Sequence, residues 1–223
     1  DNRTGTDYSE FPYEDGDVLN IVGISSQFRG TFQIKPRKLG DLEKVDVISP
    51  VTTATIEGQK LSDDSYIGKA VISLQARDND SGVVKIEYRL DKTDRWKTYT
   101  QPFAVTTDGN TKVEYRSVDN AGNMEMIKSL SITVTNSSYQ NLYELVNNSN
   151  VHPDGLKEAI KAHAKSAERA VDVKKERKRL EQTMSFVNHL SDKHVHPVLK
   201  EDLHLFIQYK LDHLASFDLQ EAK

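Results

Sequence analysis

The chain of 223 residues sets 30 Lys and Arg against 34 Asp and Glu, for a net charge of -4, and contains no cysteine. The missing cysteine removes disulfides, thiol nucleophiles, Cys-ligated zinc and iron–sulfur clusters. The acidic balance argues against a general nucleic-acid binder, which carries a basic stripe. No run of about 18 apolar residues occurs, so no membrane-spanning helix and no membrane insertion are expected. The length suits one large domain or two small ones, enough to bury a core.

Asp1 to Gly16 is polar, acidic and without periodicity, and an opening Asp in place of Met leads to the expectation that the chain belongs to a longer polypeptide. From Asp17 the pattern changes. Val18, Leu19, Ile21, Val22 and Ile24 form a β-branched run, and Phe28 to Ile34 alternates around Gly30 before Pro36. Two strands and a turn follow from this. Two strands cannot bury a face alone, so residues 1–45 are expected to lean on a neighbour.

Residues 46–136 read as strands. Ala70, Ile72, Leu74 and Ala76 alternate with Val71, Ser73, Gln75 and Arg77; Val84, Ile86, Tyr88 and Leu90 alternate with Lys85, Glu87 and Arg89. The same holds for Val113, Tyr115 and Ser117, and for Leu130, Ile132 and Val134. A period of two with one polar face marks half-buried antiparallel strands. The turns Asp80-Ser81-Gly82, Asp108-Gly109 and Asn120-Ala121-Gly122-Asn123 recur at a spacing that suits a two-sheet, immunoglobulin-like sandwich.

Beyond Thr135 the period becomes that of a helix. Leu142, Leu145 and Val146 mark a first helix, Leu156, Ile160, His163, Ala167 and Ala170 a second, Leu180, Met184, Val187 and Leu190 a third, and Leu199, Leu203, Phe206, Ile207, Leu211 and Leu214 a fourth. Asp154 is placed to cap the second and Pro197 to open the fourth. Residues 137–223 are therefore expected to form an antiparallel helical bundle. Strands before and helices after a single boundary predict two separate cores: a multidomain all-β plus all-α chain.

Candidate sites are few. All seven histidines lie in the helical part, but their spacing lacks a ligand pair such as HExxH, so caps and solvated positions explain them more simply. The run Lys174 to Arg179 reads as a solvated helix face. Asp78, Asp80 and Asp119, in two acidic turns, offer hard oxygen ligands that would suit calcium, the one cofactor with candidate ligands here, although neither turn follows the EF-hand pattern. The competing reading is a pair of turns whose side chains bond the local backbone. Trp96 and Tyr99 could form an aromatic platform for a sugar or peptide, whereas Tyr88 and Tyr115 share the inward register and belong to the core. No GxSxG elbow, Gly-rich phosphate loop or metal triad appears, and no catalytic residue is assigned.

Three segments resemble known families. Asp78 to Asp91, Trp96 to Tyr99, Gln101 to Phe103, Asp108-Gly109 and Val113 to Glu125 resemble an OmpL47-type Ig-like module. Leu142 to Leu214, with Leu145-Val146, Gly155-Leu156 and Met184 to Leu190, resembles a FIMAH domain, a helical bundle at the ends of secreted Gram-positive enzymes. Glu14 to Gly23 and Gln27 to Leu42 are similar to the last strands of an OB-like domain of secreted bacillus-type nucleases and 5′-nucleotidases. The resemblances imply a partial OB-like segment over residues 1–45, a sandwich over 46–136 and a FIMAH-like bundle over 137–223. They imply a secreted or cell-surface location, with the chain a non-catalytic accessory and spacer region. Its partners would be an upstream catalytic domain of the same polypeptide and a cell-envelope polymer or protein. Nucleic acid would enter only through the missing part of the OB-like domain, whose local contacts would be Phe28, Phe32, Arg29, Lys35, Arg37 and Lys38. The rival readings are a hydrolase fragment cleaving a phosphoester or glycan at the sandwich–bundle junction, and a carbohydrate-binding module centred on Trp96.

Overall fold

The computed structural model describes residues 13–91 and 95–221. Most of the polar opening, residues 1–12, lies outside them.

The first part of the chain forms two small ribbons. β1 (Leu19–Ile21) pairs antiparallel with β4 (Leu42–Lys44), and β2 (Ile24–Phe28) pairs with β3 (Thr31–Lys35) across the Arg29–Gly30 turn. Both turn residues have positive φ, 50° and 84°, which glycine adopts at no steric cost. Ile24, Phe28, Phe32 and Ile34 of the second ribbon are all exposed.

The sandwich begins at β5 (Val51–Glu57). β5, β7 (Ala70–Arg77) and β10 (Phe103–Val105) form a three-stranded antiparallel sheet in the order β10-β7-β5. Facing it is a five-stranded sheet of β6 (Tyr66–Ile67), β12 (Lys128–Thr135), β11 (Gly109–Asp119), β8 (Val83–Leu90) and β9 (Lys97–Thr98), in that order. The chain crosses between sheets after β5, and β6 then pairs parallel with β12. Two facing sheets with such crossings make an Ig-like β-sandwich. The alternating residues supply its core: Ala70, Ile72 and Leu74 of one sheet meet Val113, Tyr115, Ile132 and Val134 of the other.

Alternation misplaces one residue. Val84, expected inside, is 56% exposed. The ladder with β11 runs from Lys85↔Val118 to Val83↔Asp119, so Val84 is the extra residue of a bulge.

Four helices follow: α1 (Tyr139–Asn147), α2 (Asp154–Glu168), α3 (Val173–His189) and α4 (Pro197–Glu221). Ser138 and Asp172 cap α1 and α3 by accepting from the amides of Asn141 and Lys175. Asp154 does not cap α2 as expected. The cap position falls on Pro153, which has no side-chain acceptor, and Asp154 sits in the first turn, where its charge favours the positive end of the helix dipole. Pro197 opens α4, where its missing N–H costs nothing.

The sandwich core and the helical core are distinct clusters, but they adjoin. Leu61 and Ile67, from the sandwich side, are buried in the cluster formed by Leu142, Val146, Ile160, Leu203 and Phe206 of the helices. Burying an isoleucine fully stabilises by about 1.5–3 kcal/mol, and Ile67 is 1% exposed. The seam is also polar. Ser62 donates its amide to Asp202 Oδ1 at 3.0 Å and its hydroxyl to Oδ2 of the same carboxylate. Next to Ile67, Gly68 has φ +71° and lies so close to Tyr209 that a Cβ would fall 1.8 Å from the tyrosine hydroxyl.

Candidate metal centre

Three carboxylates from distant parts of the chain meet at one end of the sandwich. Asp46 lies between β4 and β5, Asp78 directly after β7, and Asp119 at the end of β11. One oxygen of each lies within 4.8 Å of the others, and this is the one such group among the described residues. At an effective dielectric constant near 20, two unit charges at that separation repel by roughly 3 kcal/mol.

Local backbone geometry places these oxygens. Asp78 Oδ2 accepts from the amides of Asp80, at 3.1 Å, and Gly82, at 2.8 Å, closing an Asx turn that Gly82 completes with φ +82°. Asp119, 1% exposed, accepts from the Asn123 amide at 2.7 Å and from the Asn123 side chain at 2.8 Å. Asp46 accepts from the amides of Ile48 and Ser81 at 2.9 and 3.1 Å. Bonds from Ser81, then from the Ile48 amide, with the nearby Lys44 charge, hold the Asp46 carboxyl below the usual carboxylate range.

Asn123 also donates to the Asp46 carbonyl, and Asn120 to the carbonyls of Ser81 and Gly82, so the turns brace one another. One atom is left over: Asp78 Oδ1 is buried and accepts no hydrogen bond from the described residues. A buried carboxylate oxygen without a donor is costly. Three clustered carboxylates with one such oxygen, all hard donors, fit a calcium-like divalent cation.

Of the residues expected to hold a metal, Asp78 and Asp119 are brought together and Asp80 is not. Asp80 points to Lys44, whose ammonium lies 3.3 Å from it and 3.0 Å from Asp17. Asp46 takes the third place. Its only sequence signal is one acid between Val45 and Val47, and only the folded topology brings it to the two turns.

The aromatic candidates separate. Tyr99 packs edge-on against Tyr88 and Phe103 beside the sandwich core. Trp96 is half-buried on the outer face of the five-stranded sheet, under Arg89 at 4.7 Å and Arg116 at 4.3 Å from its ring. Both arginines are also ion-paired across the β8–β11 ladder, Arg89 with Glu114 and Arg116 with Glu87. The indole thus belongs to a charge ladder. Arg29, Lys35 and Arg37 are spread over the N-terminal segment: Arg29 at the β2–β3 turn over Phe28, Lys35 opposite Ile24, and Arg37 paired with Asp41.

Several histidines of the helical part make local contacts. His189, His204 and His213 bond the carbonyls four residues back, and His163 stacks on Phe186. In the basic run on α3, Lys175 pairs with Asp172 and Arg179 donates to the Ser166 carbonyl, while Glu176 accepts from Tyr139.

No family model and no curated protein matches the chain. Among solved structures it is similar to fibronectin(III)-like modules of CbhA from Clostridium thermocellum, at 14% identity and a TM-score of 0.30, covering 39% of this chain and 98% of that one. It is similar to the PKD1 domain of Vibrio anguillarum Epp at 13% identity and a TM-score of 0.29, covering 39% and 96%. A β-1,2-glucanase from Parabacteroides distasonis shares 14% identity at a TM-score of 0.23, covering 68% of this chain and 26% of the enzyme.

Proposed function

We propose that this chain is a non-catalytic accessory and spacer region of a secreted or cell-surface bacterial enzyme, stiffened where the N-terminal segment meets the sandwich by a bound divalent cation, calcium being the best fit. The observation that carries the reading is the continuity of the sandwich with the bundle. A spacer must hold its ends at a fixed separation, which independent domains on a flexible tether do not do. Here Leu61 and Ile67 sit inside the helical core, and Asp202 grips Ser62 across the seam.

The metal triad supports the same role at the other end. Asp46 lies between the N-terminal ribbons and β5, so a cation shared with Asp78 and Asp119 would tie that connection to the sandwich turns. Asp46, Asp78 and Asp119 would hold it, and the ion would supply charge neutralisation and stiffness. The likeness of the opening residues to OB-like domains of secreted nucleases and 5′-nucleotidases points to a parent hydrolase of that kind, and the FIMAH-like bundle to an envelope polymer or protein as partner. A sugar platform on Trp96 is the weaker reading, because Arg89 and Arg116 already lie over its ring.

Backbone relaxation by NMR on the whole chain tests the proposal. A single rotational correlation time for sandwich and bundle amides supports it. Two distinct values would show domains that move separately and would remove the spacer reading.

A further inference from the structure

A groove of about 750 Å³ runs along the seam, walled by the sandwich on one side and by α1 and the start of α4 on the other. Its volume lies within the range of small-molecule and short-peptide sites. Besides His196 and Asp202, whose carboxylate is taken up by Ser62, the lining contains Asp63, Asp108 and Glu144 and no lysine or arginine. Each of these carboxylates accepts through one oxygen: Asp63 Oδ1 from Ser65, Asp108 Oδ1 from the Asn136 amide, and Glu144 Oε1 from Gln140. Among the described residues, the second oxygen of each has no donor, and none of the three is in an ion pair. Leu145 and Val198, the latter 43% exposed, offer apolar surface in the same lining, as does the buried Phe206. The three are not a metal site, since the one carboxylate group among the described residues close enough to chelate is that at Asp46, Asp78 and Asp119.

We propose that this groove binds an extended basic peptide, whose aliphatic side-chain stems lie on Leu145 and Val198 while its ammonium or guanidinium groups reach Asp63, Asp108 and Glu144. A lysine or arginine side chain has this division, an apolar stem ending in a cation. An acidic peptide or an anionic polymer would meet repulsion from the same rim. The site is independent of the metal centre, because no residue is shared between the two.

The test is fluorescence anisotropy with a labelled hexapeptide of alternating lysine and leucine, beside its glutamate–leucine counterpart, titrated into the full chain at two salt concentrations. The basic peptide is expected to bind and to weaken with salt, and the acidic one not to bind. Asp63→Asn, Asp108→Asn and Glu144→Gln together should weaken binding about tenfold or more, at roughly twofold to fivefold per exposed pair. These residues are exposed, so the triple variant should keep the wild-type melting temperature. Amide shift mapping with the basic peptide should move Asp63 to Ser65 and α1. Failure of the basic peptide to bind up to about 1 mM, equal binding of the two peptides, undiminished binding by the triple variant, or shifts confined to another face would each overturn the assignment.

Discussion

Replacing Gly68 by alanine probes the seam at its tightest point. The native φ of +71° lies in the left-handed region, which costs an alanine about 1–2 kcal/mol. The new Cβ would also fall 1.8 Å from the Tyr209 hydroxyl and 2.1 Å from the ring carbon that bears it, so Tyr209 must move. Displacing a packed side chain adds about 1–3 kcal/mol. The expected loss is therefore about 2–5 kcal/mol, against a total stability of about 5–15 kcal/mol for a protein of this kind. Urea unfolding read by the fluorescence of Trp96, the sole tryptophan and a reporter on the sandwich, and by circular dichroism of the helices measures it on both sides of the seam. The backbone part stays whatever occupies position 209, whereas the steric part needs the tyrosine. A cycle with Tyr209→Ala should thus give a coupling of about 1–3 kcal/mol. Losses that add to within about 0.5 kcal/mol would mean that the two residues do not press on each other.

Other consequences are equally direct. Glu125 is buried between the sheets and accepts from Thr52 on β5 and Ser117 on β11. Burial pushes its carboxyl up, but the bonds from Lys128, Thr52 and Ser117 together outweigh this and leave it below the usual glutamate range. Its contribution is therefore complete above the unfolded value near 4.5 and fades as pH falls through the lower folded value; Glu125→Gln should flatten the acid limb of a melting-temperature profile. Tyr139 behaves oppositely: burial, then the Glu176 carboxylate, push its hydroxyl far above the ordinary value of 10.0, so stability present below that pH is lost above it. Tyr139→Phe should shift alkaline unfolding upward in a pH titration followed by helix dichroism. Trp96→Ala should cost about 1–2 kcal/mol, the worth of two partly buried cation–π contacts, in a denaturation curve read by dichroism, and a neutral result would dismiss the ladder.

The elements legible in the sequence are those in which one face is buried over several residues. Ala70, Ile72 and Leu74 declare β7 because every second residue enters the core, and Leu142, Ile160, Leu180 and Leu203 declare the helices for the equivalent reason. What escaped was single-residue work. Ile67 belongs to a two-residue strand, too short to show any period, yet it ties the bundle to the sandwich. Gly68 resembles any turn glycine, and nothing near it in sequence announces Tyr209. Val84 was misplaced because a bulge consumes a residue without altering the alternating pattern around it. The candidate site was half legible. Asx turns at Asp78 and Asp119 are local and can be read from composition, whereas choosing Asp46 over Asp80 requires knowing that the approach to β5 passes beside both turns while Asp80 turns toward Lys44.

The proposed cation at this joint can be tested with the melting temperatures of wild type and Asp78→Asn, each in chelator and in excess calcium. The substituted side chain would keep an oxygen for the Asp80 and Gly82 amides and turn an NH2 donor toward the neighbouring carboxylates. In chelator the variant should therefore melt at or above wild type, through reduced repulsion. Calcium should raise the wild-type value and leave the variant where it was. A wild-type melting temperature indifferent to calcium, or a variant that responds as strongly as wild type, would contradict a metal-locked joint.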